Sequence, residues 1–212
     1  MADLEFFFDA VCPWAWVTSR WVKEVERQRD YEIAWRFISL KMINQDRHED
    51  WYTPEYRAGH MAGLYVHRVA DQVRIDLGND AVDALYTATG SAFHLNKRRL
   101  HINQDPVGFM SEMLAAAGLP AAAAEEAMNP AHDAYVRADT DLAFSRTGEG
   151  VGTPIITFHP GQTGEGSFFG PVISKAPKGD DALKLWDAIE YIATTSGMAE
   201  LKRSNRAKLI FE

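Results

Sequence analysis

The first forty residues switch twice between strand-like and helix-like hydrophobic spacing. Leu4 to Phe8 is apolar and aromatic and stops at Asp9, which predicts a short buried strand. From Pro13 to Arg29 the large apolar residues Trp14, Val17, Trp21 and Val25 recur at threes and fours, the spacing of one helix face. Pro13 suits the first turn of that helix, and Arg27 and Arg29 suit its end. Glu32 to Leu40 alternates, with Ile33, Trp35, Phe37 and Ser39 on one face, and predicts a second strand. A right-handed crossover would set the two strands parallel.

The middle of the chain reads as helices only. Pro54 opens one that runs to Leu77 before Gly78. Asp80 to Asn96 forms a second, and Asp105-Pro106 opens a third that ends at Gly118. Pro120 opens a short alanine-rich segment, and a last helix spans Ala131 to Arg146. Strand spacing returns at Thr153 to Phe158. A turn-rich stretch from His159 to Gly166 and a return strand at Ser167 to Phe169 make a hairpin. Asp180 to Thr195 is a closing helix with Leu183, Trp186, Ile189 and Ile192 on one face, stopped by Gly197; a basic, polar tail follows along the surface. No internal repeat is present.

The order is β-α-β, an all-helical insert, then β-β-α. It predicts an α/β thioredoxin-like fold carrying a helical insertion. The expected divisions are residues 1–45, 46–149 and 150–212: the first half of the thioredoxin domain, the insertion, and the second half with the tail.

Composition narrows the function classes. Hydrophobic residues make up 46% of the 212, enough for a packed core, and charged residues 25%. A net charge of -8 disfavours nonspecific nucleic-acid binding. No window approaches the roughly 18 apolar residues of a membrane helix, and the start lacks the basic, then apolar, pattern of a signal peptide. The expectation is a cytoplasmic protein that contacts neither membrane nor nucleic acid. One cysteine, Cys12, allows no intrachain disulfide, which agrees with that compartment.

Cys12 falls at the first strand-to-helix junction. Ligands of open α/β sheets bind beyond the carboxyl ends of the strands. A helix N-terminus offers free N–H groups and the positive end of the dipole, which favour a thiolate, the nucleophilic form of cysteine. A lone cysteine can equally be a buried structural residue, but Cys-Pro between strand and helix favours chemistry. Thr153-Pro154, opening a strand after Gly150-Val151-Gly152, is the second signal, although proline at a strand start also has a plain reading.

The run Cys12-Pro13-Trp14-Ala15-Trp16, continued by Thr18-Ser19-Arg20-Trp21, resembles the C-P-W-C-W segment of the mycothiol-dependent nitroreductases, a DsbA-like family of the thioredoxin superfamily. Further likeness lies in Leu85 to Ala88, Gly152-Thr153-Pro154, Phe168-Phe169-Gly170-Pro171-Val172-Ile173-Ser174-Lys175 and Lys184 to Asp187, so it spans nearly the whole chain. The resemblance implies a redox enzyme that takes electrons from mycothiol as reducing co-substrate. It also implies a cis-proline loop at Thr153-Pro154 facing Cys12 and presenting backbone to the thiol, and a Tyr86 helix lying over the site. The family's second cysteine is Ala15 here. A dithiol enzyme resolves its mixed disulfide internally; Cys12 alone requires a second thiol molecule, a monothiol cycle.

The expected site is therefore Cys12 as nucleophile, with Pro13, Trp14, Ala15, Asn44, Tyr86, Thr153 and Pro154 around thiol and substrate. Trp14 is an aromatic wall or a core residue. Asn44 is a hydrogen-bond partner for a thiol's sugar or amide, or a plain loop residue. His60 and His67, seven apart on one helix face, read as surface or interface histidines, and no ligand spacing for a metal accompanies them. His94 reads as a structural histidine or a proton carrier. Gly161, Gly164 and Gly166 do not make a phosphate loop, and no flavin motif is visible. The substrates expected are a low-molecular-weight thiol with a nitroaromatic or other small molecule, or a disulfide. Two other functions fit the same residues: a thiol-dependent isomerase or transferase, and a binding module without catalysis. Six tryptophans leave room for an aromatic homodimer surface.

Overall fold

Every residue of the first strand, β1 (Leu4–Phe8), is closed to solvent in the computed structural model, which describes residues 2–195 and 197–211. A strand covered on both faces has no polar face to alternate with, which is why its sequence reads as a run. It lies inside a mixed four-stranded sheet of order β2-β1-β3-β4, with β2 at Ile33–Phe37, β3 at Ile155–Phe158 and β4 at Gly166–Phe169. β1 and β3 run antiparallel, Phe6 opposite Ile156 and Phe7 opposite Ile155, and β3 and β4 form the expected hairpin. These strands, except Phe37 at the end of β2, belong with α1 (Pro13–Glu26) and α7 (Gly179–Thr194) to one compact unit, made of residues 1–8, 12–36 and 143–212.

Aromatic rings fill that unit. Trp186 of α7 meets Trp21 of α1 at 5.4 Å, Phe158 at 5.3 Å and Tyr31 at 5.1 Å between ring centroids. The Trp21 indole N–H donates to the Ala182 carbonyl at 2.9 Å, so a buried polar group is satisfied where the two helices meet. Trp35 stands edge-on to Phe6 and Phe8. Glu5 is the charged exception within β1: the residue is only 5% exposed, and its carboxylate is shared by Arg36, at 2.7 Å, and Arg146. Two guanidinium groups offset the cost of burying one carboxylate. Residues 197–211 form neither helix nor strand; the Ile210 N–H donates to the Ser174 carbonyl at 2.8 Å.

The second unit, residues 9–11 and 37–142, is helical: α2 (Leu40–Ile43), α3 (Pro54–Leu77), α4 (Asn79–Gly90) and α5 (Pro106–Ala116), with α6 (Asp133–Thr147) starting within it. Local chemistry sets the helix ends. Thr53 Oγ1 accepts from Tyr56 N ahead of Pro54, Asp105 accepts from Gly108 N ahead of Pro106, and Gly78 (φ 88°) closes α3 with its N–H on the Arg74 carbonyl. Four expectations change. The second strand ends at Phe37, because Ser39 turns the chain and caps α2 through Met42 N. The helix expected to reach Asn96 passes into a π-helical turn at Ser91–Leu95, and the alanine-rich segment is 3₁₀ at Ala121–Met128. His67 is no surface histidine: it has no solvent exposure and packs its ring on Phe37 at 5.1 Å. Among the described residues no helix is long and apolar enough to cross a membrane, and no group of three or more His, Cys, Asp or Glu side chains could hold a metal ion.

Asp9 anchors this unit. Its fully buried carboxylate accepts from Val11 N at 3.0 Å and Leu40 N at 2.8 Å. α3 passes so close that a Cβ on Gly63 would lie 2.2 Å from Asp9 Oδ1. Gly63→Ala must push α3 or Asp9 aside; we expect a loss of about 2–4 kcal/mol in urea unfolding, as overpacking meets a disturbed buried polar group. A variant within 0.5 kcal/mol of the parent (~0.5 being the scale of a neutral surface change) would show the approach to be looser.

Two histidines of the unit titrate in opposite senses. His94 Nε2–H donates to the Ala10 carbonyl at 2.9 Å, and burial holds its pKa down at about 4 against the usual 6.5. Between these values the unfolded chain binds a proton that the folded chain refuses, so stability falls as pH drops through that window, by on the order of 3 kcal/mol at most. His132 sits between Asp71, at 2.8 Å, and Glu126, at 3.0 Å. Burial lowers its pKa, but these two carboxylate bonds outweigh it and the net direction is up. Its contribution is complete below the unfolded value, about 6.5, and is lost as pH rises through the folded one. Denaturant midpoints measured across pH should therefore flatten on the acid side in His94→Gln and on the neutral-to-alkaline side in His132→Gln. Unchanged profiles would contradict both assignments.

Candidate active site

The chain leaves β1 at Phe8 and enters α1 at Pro13, so Cys12 stands at the helix N-cap with extended backbone (φ -79°, ψ 113°). Pro13 occupies the first helical position, where its missing N–H costs no hydrogen bond. The Cys12 carbonyl accepts from Trp16 N at 3.1 Å, which locks the first turn. No acidic side chain lies in that turn, and no side chain caps it. The positive end of the α1 dipole is thus left unneutralised beside the sulfur, an arrangement that favours a thiolate.

Cys12 is 7% exposed, and its Sγ lies 3.4 Å from the Thr153 carbonyl oxygen, a thiol donating to a carbonyl. Thr153 and Pro154 are joined by a cis peptide bond. Thr153 Oγ1 donates to the Phe7 carbonyl at 3.1 Å, which ties this loop to the strand that delivers Cys12. Behind the loop, the Pro154 carbonyl accepts from Gly170 N at 2.8 Å. Gly170 has φ 105°, where a side chain is disfavoured, and precedes a second cis proline, Pro171. The Pro171 carbonyl accepts from Thr18 Oγ1 of α1 at 2.8 Å. Thr18 and Gly170-Pro171 therefore link α1, the Thr153-Pro154 loop and the end of β4. The sequence flagged these residues only through family likeness; the Thr18–Pro171 bond joins positions 153 residues apart.

Of the residues expected at the site, Cys12, Pro13, Trp14, Ala15, Thr153 and Pro154 lie in this sheet-containing unit. Ala15 is wholly buried. Trp14 is half-buried, with the Arg206 guanidinium 5.3 Å from its ring centre. Arg206 is an addition that sequence reasoning did not single out. Asn44 and Tyr86 belong to the helical unit. Asn44 ends α2 with its amide engaged at both ends: Nδ2 donates to Leu40 O at 2.9 Å, and Oδ1 accepts from Arg47 Nε at 3.1 Å. Tyr86 is 1% exposed within α4. His60 is half-buried, 3.2 Å from the Tyr52 hydroxyl, and burial lowers its pKa. Lys175 is exposed.

The sequence pattern of the Rv2466c-like family, described as mycothiol-dependent nitroreductase Rv2466c, matches residues 11–203. The uncharacterized protein Rv2286c of Mycobacterium tuberculosis is 31% identical over 210 residues, covering 96% of this chain and 82% of that protein. Among solved structures, a probable DsbA oxidoreductase, SCO1869 from Streptomyces coelicolor, superposes with a TM-score of 0.59 at 18% identity, over 96% of this chain and 94% of that one. The cytosolic disulfide reductase DsbM from Pseudomonas aeruginosa, solved with GSH, gives 0.58 at 14% identity, over 88% of this chain and 98% of that one. At these identities the structures speak to the fold, an α/β thioredoxin-like fold with a helical insertion, while the match over residues 11–203 carries the family. With Cys12 at the head of α1 facing the Thr153-Pro154 loop, the chain belongs to the Rv2466c-like family of mycothiol-dependent nitroreductases.

Proposed function

We propose that the protein is a mycothiol-dependent thiol–disulfide oxidoreductase that works through Cys12 alone. The observation that carries this reading is the placement of the chain's single cysteine at the N-cap of α1, its sulfur 3.4 Å from the Thr153 carbonyl. As a thiol, Cys12 donates to that carbonyl; as a thiolate, it is repelled by the carbonyl and drawn by the helix N-terminus. Ionisation therefore turns the sulfur's contact with the Thr153 carbonyl from attractive to repulsive.

The thiolate attacks one sulfur of a disulfide substrate, the S–S bond breaks, and the other half leaves as a thiolate that takes a proton. Cys12 is then in a mixed disulfide. A mycothiol thiolate attacks the substrate sulfur of that bond and restores Cys12, so one disulfide and one mycothiol become one thiol and one mixed disulfide. For a nitroaromatic substrate, two mycothiols give up two electrons and become a disulfide, while the nitro group becomes a nitroso group and releases water. Pro13, Trp14, Thr153 and Pro154 bound the sulfur in this reading. Ala15 leaves nothing to resolve the mixed disulfide from within.

Intact mass after incubation with mycothiol disulfide should show one mycothiol adduct, absent in Cys12→Ser and removed by reduced mycothiol; glutathione disulfide is the control. No adduct from either disulfide would overturn the reading and favour a binding module. Ala15→Cys should supply the missing resolving thiol. Its adduct is then expected to collapse without added thiol at least tenfold faster than that of the parent, at roughly the rate advantage an intramolecular thiol holds. An adduct equally long-lived in both proteins would show that residue 15 cannot reach the mixed disulfide.

A further inference from the structure

We propose that a cleft wholly within the helical unit, bounded by α2, α3 and α6, binds a small organic anion: a carboxylate or phosphate headgroup on an apolar body. The cleft has a volume of about 500 Å³, within the range of small-molecule sites. Its floor is apolar. Met42 and Leu64 are 8% and 5% exposed, and Met61 lies one turn before Leu64 on the same face of α3. Three cations line it: Lys41 from α2, Arg68 from α3 and Arg137 from α6.

The charge balance of the cleft points to an anion. Arg68 is committed: its Nε and Nη2 donate to the two carboxylate oxygens of Asp133 at 2.7 and 2.8 Å, and its Nη1 donates to the Ala127 carbonyl at 3.2 Å. Asp133, the only acidic residue of the lining, is thereby paired, each of its oxygens accepting from Arg68. Lys41 and Arg137 are half-buried, and the side chain of neither makes a hydrogen bond or ion pair among the described residues. Two partly desolvated like charges facing one cleft repel each other and lose hydration, in a chain whose net charge is -8. A bound anion relieves both effects, and the methionine-rich floor accepts the uncharged part of the same molecule. The site is independent of Cys12 and its chemistry, since every lining residue belongs to the helical unit.

Titration calorimetry on the full chain at low salt, with phenyl phosphate and with benzoate, tests the proposal. Inorganic phosphate and the uncharged benzyl alcohol serve as controls. The expected result is saturable one-to-one binding of phenyl phosphate, benzoate or both, weakened by added salt and undetected for benzyl alcohol. Affinity should fall about tenfold in Lys41→Gln and again in Arg137→Gln, the scale of a lost charge-assisted contact. Neither side chain holds a partner among the described residues, so both variants should keep the parent's unfolding midpoint. Cys12→Ser should bind as the parent does. The proposal is overturned if neither aromatic anion binds, or if binding survives intact in the Lys41→Gln, Arg137→Gln double variant. It is equally overturned if Cys12→Ser abolishes binding, or if inorganic phosphate binds as tightly as phenyl phosphate, since the apolar floor would then contribute nothing.

Discussion

The hydroxyl of Thr153 donates to the carbonyl of Phe7, and the arrangement around the sulfur depends on that bond. It fixes the Thr153-Pro154 loop against the end of β1, the strand that hands the chain on to Cys12. With the loop held there, the Thr153 carbonyl comes within 3.4 Å of Sγ. The loop is secured from the other side as well, because Pro154 accepts from Gly170 and the adjoining Pro171 accepts from Thr18 on α1. The loop that faces the sulfur is thus held by backbone and hydroxyl groups on four segments, none of which ionises. Such groups orient a thiol without themselves fixing its charge, and leave that to the helix N-terminus.

Buried charge follows a different logic in each unit. In the sheet, Glu5 lies on a strand with no exposed residue and is met by Arg36 and Arg146. In the helical unit, Asp9 takes backbone N–H groups, and His132 is held between two carboxylates. Each of these ionisable groups has found either an opposite charge or several donors, as burial requires. Among the described residues Lys41 and Arg137 have found neither, and this sets the cleft between α2, α3 and α6 apart from the satisfied networks around it.

Helix boundaries were legible wherever one or two adjacent residues decide them. Thr53-Pro54 and Asp105-Pro106 cap and start helices through contacts three residues long, and Gly78 ends α3 by its own backbone angle. Ser39 misleads for the same local reason. It continues the alternation of Ile33, Trp35 and Phe37, yet its side chain caps a four-residue helix too short to show a period. The spacing of His60 and His67 states only that they share a helix face; packing on Phe37 makes one of them core. The run Leu4 to Phe8 reads as apolar because it is buried, and the carboxylate inside it carries no local sign of its two arginine partners.

The sequence by itself determined the order of the elements, the single thiol, and its place between a strand and a proline-led helix. These follow from contacts between residues two to four apart, which any local stretch of chain displays. Only the tertiary structure decided which carbonyl the thiol meets, 141 residues away, and that Phe7, Thr18 and Gly170 hold the loop that bears it. It alone brought Lys41 and Arg137 to one cleft. Pairings of that range depend on how the sheet closes and the helices pack, and the hydrophobic pattern that drives packing is blind to which polar groups it brings together.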